Sequence, residues 1–308
     1  MTSLCLTADI PILPGLRFVD RILATGPRDE SCDDWTAAAV SAHLVAPITQ
    51  AAAMDSQSYA RAACVAEVLG VELYPRLRFT AIDDHWALRQ RLRAAGVDHT
   101  EVAPAPDRAS VESYVAEHGL PCLLRPRYAR HPAVLLRSLD DVDRAARGEI
   151  HGAAPGDGML IESAGTGQPF QVVVLVEGGH SEALVVLRPG SEPERWKVVA
   201  GPVRDDEREA ETLRLLRSRA SNLAPVLGLR DGLLVVDLGL DANRVSIAGV
   251  RLGSPGEPVR RAVLHATGVD LALCCARQCY GQPAIAEAIE SARAFAQTRS
   301  GWHSPMTA

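Results

Sequence analysis

Apolar residues recur at two different spacings in this chain, and the change from one to the other divides it. Over the first 80 positions, short apolar runs alternate with Ala-rich stretches at helical spacing. LCLTADIPIL opens with a candidate strand, DDWTAAAVSAHLV and YARAACVAEVLGV predict amphipathic helices, and ELYPR predicts a short strand region. DDHWALRQRLRAAG predicts a helix over 83–96, with Asp83 and Asp84 at the end that favours negative charge and Gly96 as its C-cap. VDHTEVAPAP is extended and broken by proline. SVESYVAEHG predicts a further helix with Ser110 as N-cap, LPCLLRP a strand stopping at Pro126, AVLLRS another strand, and SLDDVDRAARGE a helix capped by Ser138. From position 159 the pattern becomes that of β-branched strands, MLIES, FQVVVLVEGG and EALVVLRPG, with Gly178–Gly179 as the turn of an antiparallel meander. Residues 205–223 predict a charged amphipathic helix. LLVVDLGLDANRVSIAGVRLG predicts a hairpin turning at Asp241–Asn243, and the remainder is helical.

Composition narrows the classes. The chain has 308 residues, enough for two or three modest domains, and its 47% hydrophobic and 23% charged residues are those of a globular protein rather than a disordered or fibrous one. No apolar run reaches the ~18–20 residues of a membrane span. The N-terminus lacks a basic start and an apolar core, so a cytoplasmic location is the default expectation. A net charge of −6 gives no electrostatic case for a nucleic-acid partner. Of 32 basic residues only Lys197 is lysine, which excludes any mechanism that needs two. The seven cysteines (Cys5, Cys32, Cys64, Cys122, Cys274, Cys275 and Cys279) form no CxxC pair and read as buried reduced thiols. GxGxxG, GxxxxGK[ST] and GxSxG are all absent, the histidines are scattered, and Cys122 on an apolar strand is a weak candidate nucleophile.

Several strings, in order, carry a resemblance: Asp84-His85 through Ala95-Gly96-Val97; Ser110; Gly119-Leu120-Pro121-Cys122-Leu123-Leu124-Arg125-Pro126; MLIES with Glu162; Arg251-Leu252-Gly253; and Ala266-Thr267-Gly268-Val269-Asp270. Over about residues 84–282 the chain resembles the ATP-grasp superfamily, in its carboxylate–amine ligase branch. The resemblance implies an α/β fold of α+β lobes. An N-terminal pre-ATP-grasp-like domain would span 1–83, a small lobe 84–158, and a C-terminal antiparallel lobe 159–308. It also implies a chemistry. ATP phosphorylates a small carboxylate, and an amine attacks the acyl phosphate to give an amide. Two lysines hold the phosphates, Mg²⁺ ions neutralise the transferring group, and an arginine stabilises developing charge. Small-molecule carboxylate and amine substrates are the implied partners. Dimers are common in the superfamily, which leaves a homodimer open.

The departures fall on the site. By the resemblance, the phosphate lysines become His85 and Arg125, the adenine-hinge acid is Glu162, and the ribose acid falls on Pro169. One metal acid survives as Asp237, while the other acid and the metal Asn fall on Ile247 and Gly249. The flexible loop after Arg125-Pro126 becomes Arg127-Tyr128-Ala129-Arg130-His131-Pro132, which reads as an anion clamp or as a solvated turn. Lys197 reads as a phosphate contact or an exposed loop lysine. Arg251 reads as a catalytic cation or as an ion-pair partner of a C-terminal acid. Two functions stay in view: a divergent ligase using ATP and Mg²⁺, and a pseudoenzyme of the same fold that binds a ligand or partner, or acts without ATP.

Overall fold

A computed structural model describes residues 3–6, 21–23, 32–53, 56–79, 81–128, 133–150, 155–156, 158–165, 167–190, 196–202, 211–242 and 244–300. Along the chain run β1 (Ser3–Leu6), β2 (Arg21–Leu23), α1 (Cys32–Val45), β3 (Gln50–Ala53), α2 (Ser56–Leu69), β4 (Glu72–Tyr74) and β5 (Arg76–Leu77). Next come α3 (His85–Ala94), β6 (Val102–Pro104), α4 (Arg108–His118), β7 (Cys122–Pro126), β8 (Val134–Leu136), α5 (Leu139–Ala146) and β9 (Met159–Ser163). The last part holds β10 (Gln168–Glu177), β11 (His180–Pro189), β12 (Trp196–Ala200), α6 (Glu211–Ser221), α7 (Leu223–Leu227), β13 (Leu229–Asp241), β14 (Arg244–Leu252), α8 (Glu257–Thr267), α9 (Leu271–Cys279) and α10 (Ile285–Ser300).

Two compact units result. The first is Met1–Thr80 with Pro169–Asp237 and Val250–Ala308; the second is Ala81–Gln168 with Leu238–Gly249. They interleave in sequence where consecutive segments were expected, because β13 and β14 give their bases to the first unit and their tips to the second.

In the first unit, β2-β1-β3-β4 form a parallel sheet. A larger sheet runs β12-β11-β10-β13-β14, with β5 antiparallel to β13. β10 and β11 are buried along almost their whole valine-rich length, so their apolar positions are continuous rather than alternating. They pack with α8, α9 and α10 in one core. In the second unit, β6-β9-β7-β8 form an antiparallel sheet. Tyr114, Cys122, Leu124, Val142 and Ile161 anchor its core.

Local chemistry sets the helix starts. Asp84 accepts from Ala87 N at 3.1 Å and begins α3. Ser138 and Asp141 make the reciprocal capping box of α5. The start of α4 corrects the expectation: Asp107 is the cap, and Ser110 donates to it from its backbone (2.8 Å) and its hydroxyl (2.7 Å). An acid three positions earlier outcompetes serine because one carboxylate oxygen takes both hydrogen bonds.

Candidate active site

The second unit buries a cluster of four charged side chains. Arg89 on α3 lies one turn beyond His85 and is 6% exposed. Its Nε donates to Glu162 Oε2 at 2.8 Å, and its Nη1 donates to Asp98 Oδ2 at 2.7 Å. Nη1 also reaches the carbonyl of Ile247 at 2.6 Å, and Nη2 that of Ala248 at 3.3 Å. Burial works against the charge on Arg89, but Glu162 and then Asp98 outweigh it and hold the guanidinium above its ordinary pKa. Glu162 on β9 is fully buried, and its other oxygen lies 2.9 Å from Arg125 Nη1 on the neighbouring strand β7. Two guanidiniums and two carboxylates cancel, which is the condition under which such a group tolerates burial.

This arrangement changes the expected roles of Glu162 and His85. Glu162 stands between two arginines: Arg89 hydrogen-bonds one oxygen, while the other lies 2.9 Å from Arg125 Nη1 and makes no hydrogen bond among the described residues, so Glu162 serves here as the counter-ion of both. His85 is drawn down to about 4 by burial first and by Arg125 next, against the opposing pull of Glu162. A neutral imidazole hydrogen-bonds but supplies no charge to a phosphate. Of the two residues at the phosphate-lysine positions, Arg125 is the one that keeps its charge, with its side chain 15% exposed. Arg127, the first residue of the expected clamp, is ion-paired to Asp84 at 2.7 Å and lies over the Tyr128 ring. Ala129, Arg130, His131 and Pro132 lie outside the described residues.

The first unit brings Asp237 and Arg251 together, on adjacent strands β13 and β14. Arg251 Nη2 lies 3.1 Å from Asp237 Oδ1, and the same oxygen accepts from Gln171 Nε2 at 2.7 Å. Arg251 thus pairs with an acid, but on its own sheet rather than in the C-terminal helices. Gln171 is buried, and its Oε1 has no hydrogen-bond partner among the described residues. Lys197 sits on strand β12, not in a loop. It is exposed, and its backbone faces Arg188 of β11 at the end of the sheet order.

Mg²⁺ fails the test of fit. Among the described residues, no three His, Cys, Asp or Glu side chains are grouped to hold a metal ion. One oxygen of Asp237 is taken up by a guanidinium and an amide, and that guanidinium opposes a dication. Ile247, at the second expected acid position, is a buried core side chain. Two other motifs prove to be structural. Across Ala266–Asp270, Thr267 bridges the Val263 carbonyl and Val269 N, Gly268 ends α8 at φ +73, and Asp270 caps α9. Cys122 is buried, with its thiol pushed up to about 11 by burial, and so is no nucleophile.

Arg89 was not singled out from the sequence. The available signal was an arginine on the face of α3 that also carries buried Leu88 and Leu92, beside the buried Asp98 that follows the helix.

No protein-family profile matches the sequence, and no curated protein is similar to it. Solved structures do match. L-amino acid ligase from Bacillus licheniformis superposes with a TM-score of 0.71 at 16% identity, over 91% of this chain and 74% of that one. An ADP complex of N5-carboxyaminoimidazole ribonucleotide synthetase gives 0.66 at 17% identity over 92% and 71%. The chain has the ATP-grasp fold. Biotin carboxylase from Campylobacter jejuni, also of the ATP-grasp fold, gives 0.60 at 13% identity over 92% and 66%. Among the described residues no helix is long and apolar enough to cross a membrane.

Proposed function

We propose that the protein is an ATP-dependent ligase joining a small carboxylate, such as an amino acid, to an amine in a biosynthetic step. The observation that carries this reading is Arg125. Its guanidinium is anchored from behind by a fully buried carboxylate and reaches the surface at the strand position where the resembled family has a phosphate lysine. An anchored guanidinium presents its donors in a fixed fork that suits phosphate oxygens. The solved relatives include an ADP complex and an ATP-analogue complex, which supports nucleotide as the co-substrate.

In this reading the γ-phosphoryl group passes from ATP to a carboxylate oxygen, releasing ADP. The amine nitrogen then attacks the acyl carbon, phosphate leaves, and the nitrogen gives up a proton to complete the amide. Arg125 holds phosphate oxygens, and Glu162 and Arg89 keep it in place. His85 acts as a neutral hydrogen-bonding group. Arg251, oriented by Asp237, stabilises developing negative charge. Lys197 is a further cation whose contribution a single Lys197→Met substitution reads directly. No step is assigned to Mg²⁺.

A second reading, a ligand-binding pseudoenzyme, rests on the occupied carboxylate of Asp237 and the uncharged His85. A hydroxylamine trap separates the two. With ATP, a panel of amino acids and hydroxylamine, a ligase accumulates ADP and an acyl hydroxamate, and Arg125→Met abolishes both. ATP binding without ADP or hydroxamate supports the pseudoenzyme instead.

A further inference from the structure

We propose that a cavity within the first unit binds a small organic anion: a phosphate ester or carboxylate carrying an apolar group. The cavity is open to solvent, with a volume of about 250 Å³, and three arginines, Arg76, Arg78 and Arg230, line it over an apolar floor of Leu73, Pro75 and Leu77. None of these residues takes part in the nucleotide reading, so the inference stands or falls apart from it.

The charges do not balance. Arg76 is neutralised, with Nε and Nη2 both 2.7 Å from Asp231 Oδ2, while the other oxygen of Asp231 accepts from Gly178 N at 2.9 Å. Arg78 and Arg230 have no side-chain partner among the described residues. Two guanidiniums with no counter-ion among the described residues line one cavity, and a bound anion offsets their like charge. In a chain of net charge −6, this is a local reversal of sign.

The backbone that carries both arginines is tied in place. Arg78 N donates to the Gly228 carbonyl at 3.2 Å and Phe79 N to that of Leu227 at 3.1 Å, so the chain after β5 is tied to the end of α7. The Arg78 stem lies across Gly228, where a Cβ would come within 2.8 Å of Arg78 Cβ and the φ of +67° favours glycine. Arg230 lies on β13 between Leu229 and Asp231, which pair with β5, and its carbonyl accepts from Gly179 N at 2.8 Å. Beneath them, the buried Tyr59 hydroxyl donates to the Leu77 carbonyl at 3.5 Å, so the aromatic ring closes the floor. Cations beside an apolar floor select an organic anion over a bare inorganic one, because the floor returns nothing for a hydrated ion.

Isothermal titration calorimetry tests this with phenyl phosphate, benzoate and inorganic phosphate, on the intact protein and on Arg78→Met, Arg230→Met and Arg261→Met. Arg261 is an exposed arginine on α8 and serves as the control for net charge. One equivalent of phenyl phosphate or benzoate is expected to bind, the tighter of the two naming the headgroup. Each cavity substitution weakens it at least about tenfold, and Arg261→Met leaves it unchanged. The proposal is overturned if neither organic anion binds saturably at millimolar concentration, or if inorganic phosphate binds as tightly. It is equally overturned if both cavity variants bind like the parent, or if Arg261→Met loses as much. Arg78 and Arg230 are exposed, so neither substitution threatens folding, and a thermal melt of each variant verifies this.

Discussion

Arg89 and Arg93 lie one turn apart on the same helix, and the structure predicts opposite outcomes for the same substitution. Arg89→Met leaves Asp98, which is 5% exposed, without its cation. It also removes one of the two guanidiniums from Glu162 and strips the donors from two carbonyls on β14. Removing one partner of a buried ion pair costs about 3–5 kcal/mol, a large part of the roughly 5–15 kcal/mol that holds a domain folded. Arg93 pairs with Glu101 at 2.6 Å, but both side chains are about half exposed (40% and 50%). Its replacement by Met is expected to cost less than about 1 kcal/mol. Urea denaturation followed by tryptophan fluorescence measures both. Adding Asp98→Asn to Arg89→Met is expected to return part of the loss, because the stranded charge is then gone. Equal midpoints for the two single variants would refute the buried network and, with it, the anchoring of Arg125.

Other expectations follow from single sites. His85 has a folded pKa of about 4 against an ordinary 6.5, so the unfolded chain takes up its proton first as pH falls. Stability should therefore drop between pH 6.5 and 4, by at most about 3 kcal/mol, and His85→Gln should flatten urea midpoints measured across that window. Ile247→Glu puts a carboxylate on a side chain that is 2% exposed. The expected result is a loss of more than about 2 kcal/mol without calorimetric Mg²⁺ binding; saturable Mg²⁺ binding would revive the metal site. Asp270→Ala removes the acceptor for Ala272 N (2.9 Å) and Leu273 N (3.2 Å) and should lower stability by about 1 kcal/mol. Activity should be unaffected if the motif is only a helix joint.

Much of the fold was legible because its elements announce themselves locally. The β-branched runs of β10 and β11, the Gly178–Gly179 turn and the Ser138 cap all lie where patterning puts them. β3 was not, since Gln50-Ala51-Ala52-Ala53 has helix-favouring alanines and becomes a strand through its parallel pairing with β1 and β4. β12 and α7 escaped as well. The first is a short strand at the end of the sheet order, and the second is a five-residue helix containing Pro225. At the candidate site the sequence offered candidate positions but not their pairings. The resemblance to the ATP-grasp superfamily pointed to Arg125, Glu162, Asp237 and Arg251. That Glu162 faces two arginines, and that Asp237 takes Arg251 and Gln171, depends on strand neighbours far apart in sequence. The Ala266–Asp270 string shows the converse, since wording shared with an enzyme family is explained here by helix capping.

The claim that matters most is that Arg125, held by a buried carboxylate, receives a nucleotide triphosphate. Calorimetric titration of ATP, with and without Mg²⁺, into the protein and into Arg125→Met measures it directly. Saturable heat from the parent that vanishes in the variant is the predicted result. Absence of heat at millimolar ATP, or identical binding by Arg125→Met, would contradict the account.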